Sequence, residues 1–194
     1  MKPLKTILYF TLIAVLCVSC LGDQKTVVGQ EYGDTNFVND SFKGNIKDFA
    51  ELPKDLCGFL NEDSILKAYD NATSVSFGGS NSFMSKNCQF SVTFFNDASQ
   101  FIKGSIFIVD DSAEEDNWQE SWEFRKKRYK SAEYVKDLGR AAIWYGKQRK
   151  LEIKMKGYMV SITAPPKMID KNKIDNDTDV KDAAVAIAKS MNLF

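Results

Sequence analysis

Residues 87–95 read NCQFSVTFF. In an extended chain Cys88, Phe90, Val92 and Phe94 share one side, and Gln89, Ser91 and Thr93 share the other. Period-2 alternation of this kind describes a strand that lays one face on a core. The flanking segments repeat the theme. NATSVSFGG (71–79) alternates Val75 and Phe77 with Ser74 and Ser76, then stops at two glycines. GGSNSFMSKN (78–87) is a Ser/Asn loop, and KGSIFIVDD (103–111) is apolar enough for a central strand. Further on come AAIWYG (141–146), QRKLEIKMKG (148–157) and YMVSITAP (158–165). In the middle one, Leu151, Ile153 and Met155 alternate with Glu152, Lys154 and Lys156. Gly146 and Gly157 suit hairpin turns, and Pro165 and Pro166 stop the sheet.

Three helical segments separate these strands. In 48–70 Leu56, Leu60 and Ile65 stand at helical spacing, with Asn61 restarting the helix as a cap. Residues 110–134 read DDSAEEDNWQESWEFRKKRYKSAEY. Ser112 and Glu115 have capping-box spacing, acids crowd the first turn and bases the last, and Trp118, Trp122, Tyr129 and Ala132 form one stripe. Phe124 lies off that stripe. At the C-terminus Val180, Ala183, Ala184, Ile187 and Met191 line a helical face, with Asp177 or Thr178 as cap. The order α-βββ-α-βββ-α predicts an α+β domain over 46–194. Its largely antiparallel sheet has about six strands in two βββ halves, covered by N-terminal, central and C-terminal helices.

The chain starts MKPLKTILYFTLIAVLCVSC. Lys2 and Lys5 precede an apolar run from Ile7 to Val18, shorter than the roughly 20 residues that span a bilayer. It has the length of a secretory h-region. Small residues then lead to Cys20. The pattern resembles the lipobox of bacterial lipoproteins, with Cys17 where Leu is usual. The resemblance implies that 1–19 is a signal peptide and that an acylated Cys20 holds the protein to a cell membrane or outer membrane, its domain outside the cytoplasm. The other readings are signal cleavage without lipid and an uncleaved N-terminal anchor. Residues 20–45, rich in Gly, Asn, Asp and Thr, read as a tether.

The 194 residues carry 26 basic and 26 acidic side chains. Removing Lys2 and Lys5 with the leader leaves a net of −2, so overall charge offers no reason to bind nucleic acid. There is no histidine. Ser-His-Asp and Cys-His catalysis and His-ligated zinc are excluded, and acid–base work would fall to Asp, Glu, Lys or Tyr. Once Cys17 leaves and Cys20 takes lipid, Cys57 and Cys88 remain. In an oxidising compartment they predict one disulfide; the other reading is two buried free thiols.

A wider resemblance runs over residues 50–190. DLCGFLNEDSILKAYD…CQFSV is similar to the C-x-x-L…C-x-F/W opening of small bacterial envelope lipoproteins of unknown function. VKDLGRAAIWYGKQRKLEIKMKGYMVSIT resembles their second half, with Gly139 at a tight turn, Ala141-Ala142 starting a strand, and Arg140 where an acid is usual. This resemblance implies a PsbP-like α/β sandwich and an envelope-attached, non-catalytic domain, in some members a partner-binding one, with no defined substrate.

The remaining motifs point to little chemistry. Asp175, Asp177 and Asp179 match positions 1, 3 and 5 of a calcium loop, but Val180 and Ala186 stand where Gly and Glu are needed, so no metal is expected. FGGSNSFMSK lacks the G-K-[S/T] of a phosphate loop, and no G-x-S-x-G elbow occurs. The run RKKRYK (125–130) spreads around its helix as a solvated surface, with anionic lipid as the other partner to consider. Trp118 and Trp122 read as core or as an interaction hot spot, and an exposed Phe124 beside them would favour interaction. The expected function is a non-enzymatic envelope domain, without cofactor, that binds an envelope protein or small ligand. The alternatives are an assembly factor of an envelope complex and an unrecognised enzyme using Asp, Glu or Lys.

Overall fold

The computed structural model describes residues 37–79, 85–171, 173–176 and 178–193. The leader, Cys20 and Asp177 lie outside them. Seven strands form one antiparallel sheet: β1 (Ala72–Gly79), β2 (Lys86–Phe94), β3 (Phe101–Asp110), β4 (Ala132–Val135), β5 (Ala141–Tyr145), β6 (Lys150–Lys154) and β7 (Tyr158–Thr163). Their order is β1-β2-β3-β7-β6-β5-β4, two meanders joined where β3 meets β7. The α+β class and its large antiparallel sheet therefore match the sequence reading. The second half, however, has four strands where three were expected.

The extra strand comes out of the expected central helix. That helix, α2, covers only Trp118–Arg128, and Ala132–Val135 pairs with β5 instead. Four cations fill its last turn, Arg125 to Arg128, as the negative end of the helix dipole favours, and the chain turns extended at Tyr129. Ala132 and Tyr134 then sit opposite Tyr145 and Ile143 and join their apolar cluster. Pairing with a fully buried strand outweighs the helical spacing of Ala132. The capping box is likewise not made. Asp110 Oδ1 accepts from the Ser112 amide and hydroxyl, and residues Ser112–Asn117 form a 3-10 turn. Glu115 is used elsewhere, as described below.

Two further helices, α1 (Glu62–Lys67) and α3 (Lys181–Ser190), join the opposite side of the sheet. Asn61 Oδ1 caps α1 by accepting from the Ser64 amide, as the sequence suggests. On α3 the expected stripe of Val180, Ala183, Ala184, Ile187 and Met191 is buried. The helix starts at Lys181, three or four residues past the expected caps, and Asp179 Oδ1 accepts from the Lys181 amide. Beyond the prolines, β8 (Lys167–Asp170) and β9 (Lys173–Asp175) add a separate ribbon.

The main core lies between the sheet and these helices, with Cys88, Phe90, Val92, Phe94, Ile106, Leu151, Ile153 and Ile162 all buried. Gly104 sits opposite Phe90, and a Cβ there would lie 2.3 Å from the ring's Cζ. At Gly139 φ is +54°, and a Cβ would come within 2.6 Å of Ile153 Cγ2 and of the Lys154 carbonyl oxygen. The turn before β5 thus requires glycine. The expected tether is described only from Phe37, and from there it lies against the domain. Phe37 is buried, stacked on Tyr134 at 4.9 Å, and the Asn39 amide donates to the Arg140 carbonyl.

Candidate functional site

The two faces of the sheet are covered unequally. The second core cluster, on the α2 side, gathers Phe37, Trp118, Trp122, Ala132, Ala141, Ile143, Tyr145 and Met159. All of its sheet residues come from β4, β5 and β7. On the same face β1, β2 and β3 present Ser74, Ser76, Gln89, Ser91, Thr93, Phe101, Lys103, Ser105, Phe107 and Val109, each exposed or half-buried, with Asn87 opposite Phe107 as the buried exception. The register lines them up in rows: Ser76, Ser91 and Lys103; Gln89, Ser105, Thr163 and Lys150; Phe107, Ser161 and Glu152. The result is an open floor of hydroxyls with Phe101 and Val109 exposed on it, and α2 beside it as a wall.

The sequence reading placed Trp118, Trp122 and Phe124 as one possible interaction surface. The two tryptophans are buried, as core stripe, and Phe124 is 65% exposed. The reason is helical geometry. Trp118 and Trp122 are one turn apart and face the sheet, whereas Phe124 lies well round the helix from them. Only Phe124 is available to a partner.

On the same side of the sheet a cleft of about 290 Å³ opens between α2 and strands β5 and β6, lined among others by Phe124, Arg125, Arg128, Tyr129, Lys150 and Glu152. Glu152 is buried and engaged three ways. Its Oε2 accepts from the Tyr145 hydroxyl at 3.0 Å and lies 3.4 Å from Arg125, while Oε1 pairs with Lys150 at 2.7 Å. Burial, and then the Glu152 carboxylate, push the Tyr145 phenol well above its usual range, so it stays a neutral donor. Tyr129 meets Tyr145 edge-on at 5.2 Å, and Lys150 lies over the Tyr145 ring. Glu114 accepts from the Ser121 hydroxyl at 2.6 Å.

A second charged cluster holds α2 and its 3-10 turn to the sheet. Lys154, fully buried, pairs with Asp111 at 2.5 Å and lies 3.5 Å from Glu115. Glu115 also pairs with Arg140 and accepts from the Gly157 amide at 3.0 Å. Arg140 lies over the Trp118 ring at 4.4 Å. Arg140 thus helps hold the 3-10 turn to the sheet.

Cys57 and Cys88 are joined as a disulfide, which ties the 3-10 turn Cys57–Phe59 to β2. Asp55 lies beside both sulfurs, but its carboxylate accepts from the Cys57 amide, and bonded sulfurs offer no thiolate to a metal. Closing a loop of 31 residues stabilises the fold by about 3–4 kcal/mol in the chain-entropy picture. The expected result is that thiol labelling of unfolded, unreduced protein leaves both residues unmodified, and that reduction lowers the melting temperature by about 10 °C. Labelling of either thiol before reduction would exclude the pairing.

Another hollow, about 340 Å³, lies between residues 37–41 and 134–137. Among the described residues no helix is long and apolar enough to cross a membrane. Sequence reasoning missed the cleft, whose members come from α2, β5 and β6 and carry no local motif. No protein-family model matches this chain, and no curated protein or solved structure matches it.

Proposed function

We propose that this protein is a lipid-anchored, non-enzymatic domain of the bacterial envelope, held outside the cytoplasm by an acylated Cys20, which binds a ligand or partner over the open face of its sheet. The observation that carries the binding half is the uncovered floor of β1, β2 and β3 beside α2, with Phe101, Val109 and Phe124 exposed around it. Half-covered sheets normally turn a charged polar face to water; here β1, β2 and β3 offer four serines, one threonine, one glutamine, two phenylalanines, one valine and one lysine. The lipobox-like leader and the likeness to small envelope lipoproteins support the anchoring half. Several acyl chains on one cysteine, at about 0.8 kcal/mol per buried CH₂, hold a protein at a bilayer for good. Replacing Cys20 by Ala is expected to move the protein from the membrane fraction into an unacylated precursor that no longer incorporates labelled palmitate. Unchanged palmitate labelling would remove the lipid anchor from this reading.

A further inference from the structure

We propose that the cleft between α2 and strands β5 and β6 is a binding site for a phosphate group, held by Arg125, Arg128 and Lys150. This deepens the reading above and rests on it, since Lys150 and Glu152 of the cleft share their rows with Ser105 and Phe107 of the open floor. The argument is a surplus of donors. The two guanidinium groups and the ammonium carry thirteen N–H donors between them. Glu152, the buried acceptor, is already committed to Tyr145, Arg125 and Lys150, and Arg125 reaches it only at 3.4 Å. Glu114 holds Ser121. Among the described residues Arg128 is paired with no carboxylate; its contact is the Tyr129 ring at 5.7 Å.

The basic run of α2 is therefore not a uniform solvated surface. Lys127 pairs with Glu123, Lys126 lies over Tyr134, and Arg125 and Arg128 line one cleft together. Three residues apart on a helix, those two repel each other, and an anion between them relieves the repulsion. A carboxylate is satisfied by one guanidinium fork. Three cations reaching in from two elements suit a tetrahedral group with several acceptor oxygens. A volume of about 290 Å³ admits a phosphate with several further atoms, and Phe124 and Tyr129 offer apolar contact to those atoms. A soluble phosphoester and a phospholipid headgroup share this chemistry.

The test uses the acylated full chain in a sugar-headed, phosphate-free detergent, titrated with glycerol phosphate and inorganic phosphate. In parallel the chain is placed in phosphatidylcholine discs with and without phosphatidylglycerol. Backbone amide shifts of residues 124–129 and of Lys150 are the readout. Saturable shifts in the detergent arm, weakened at least tenfold by Arg128→Gln and less than twofold by Lys127→Gln, establish the site with a soluble ligand. The same pattern confined to phosphatidylglycerol discs establishes it with a headgroup. No Arg128-dependent response in either arm, or equal weakening by both variants, overturns it. A photo-crosslinking side chain in place of Phe101, used in living cells, separates the two levels of the proposal. A discrete adduct without a phosphate response removes the phosphate and keeps the binding face. No adduct and no phosphate response remove both.

Discussion

Replacing Ile187 by Asp is expected to destabilise the domain by at least about 4 kcal/mol, enough to unfold much of it at 37 °C. Ile187 is fully buried on α3, in the cluster that includes Leu151, Ile153, Val160 and Ile162 from the sheet. Two losses add. The isoleucine gives up roughly 2–3 kcal/mol of apolar burial, and a carboxylate enters a site without a hydrogen-bond partner. It would enter protonated, or α3 would leave the sheet. Lys189 lies on the exposed side of the same helix, and Lys189→Gln should stay within about 0.5 kcal/mol of wild type. Urea melts followed by tryptophan fluorescence give both numbers. An Ile187→Asp midpoint close to that of Lys189→Gln would mean that α3 contributes nothing to the core.

That stripe on α3 was legible because its signal is local: five residues at helical spacing, with solvent on the other side. The strand alternation of 87–95 was legible for the same reason. What could not be read depends on which distant segment covers which face. Ala132 continues the spacing of Trp118, Trp122 and Tyr129 whether it belongs to a helix or faces β5 across a ladder. The four-cation turn at 125–128 was the available signal that the helix ends there. Burial of both faces of β6 had no such signal. Glu152 and Lys154 alternate with Leu151 and Ile153 as a solvated face would, yet both are buried beside α2 and its 3-10 turn. Charges are tolerated there because each meets an opposite charge, Asp111 from far along the chain for Lys154, and both the neighbouring Lys150 and the distant Arg125 for Glu152. The cleft was invisible from sequence for the same reason.

Lys154→Met follows from that pairing and is expected to cost about 2–4 kcal/mol. The side chain is fully buried, and methionine fills much of its volume, so little of the effect is a cavity. The loss is electrostatic. Removing one partner of a buried ion pair leaves the other charge uncompensated, with costs of about 3–5 kcal/mol when water cannot reach it. Asp111 and Glu115 keep some exposure, at 12% and 28%, which moves the expectation below the top of that range. Acidity separates this cause from simple mispacking. Burial alone would raise the Glu115 carboxyl, but the Gly157 amide, Arg140 and Lys154 together hold it below its ordinary range. A carboxyl held low in the folded state contributes stability that is complete above the unfolded value, about 4.3, and is lost as pH falls through the folded value. Wild type should therefore lose stability on acidification from pH 5 to 3 more steeply than Lys154→Met, so the two curves converge. Parallel curves, offset by the same amount at every pH, would show that Lys154 acts through packing and that its charge does not hold α2 to the sheet.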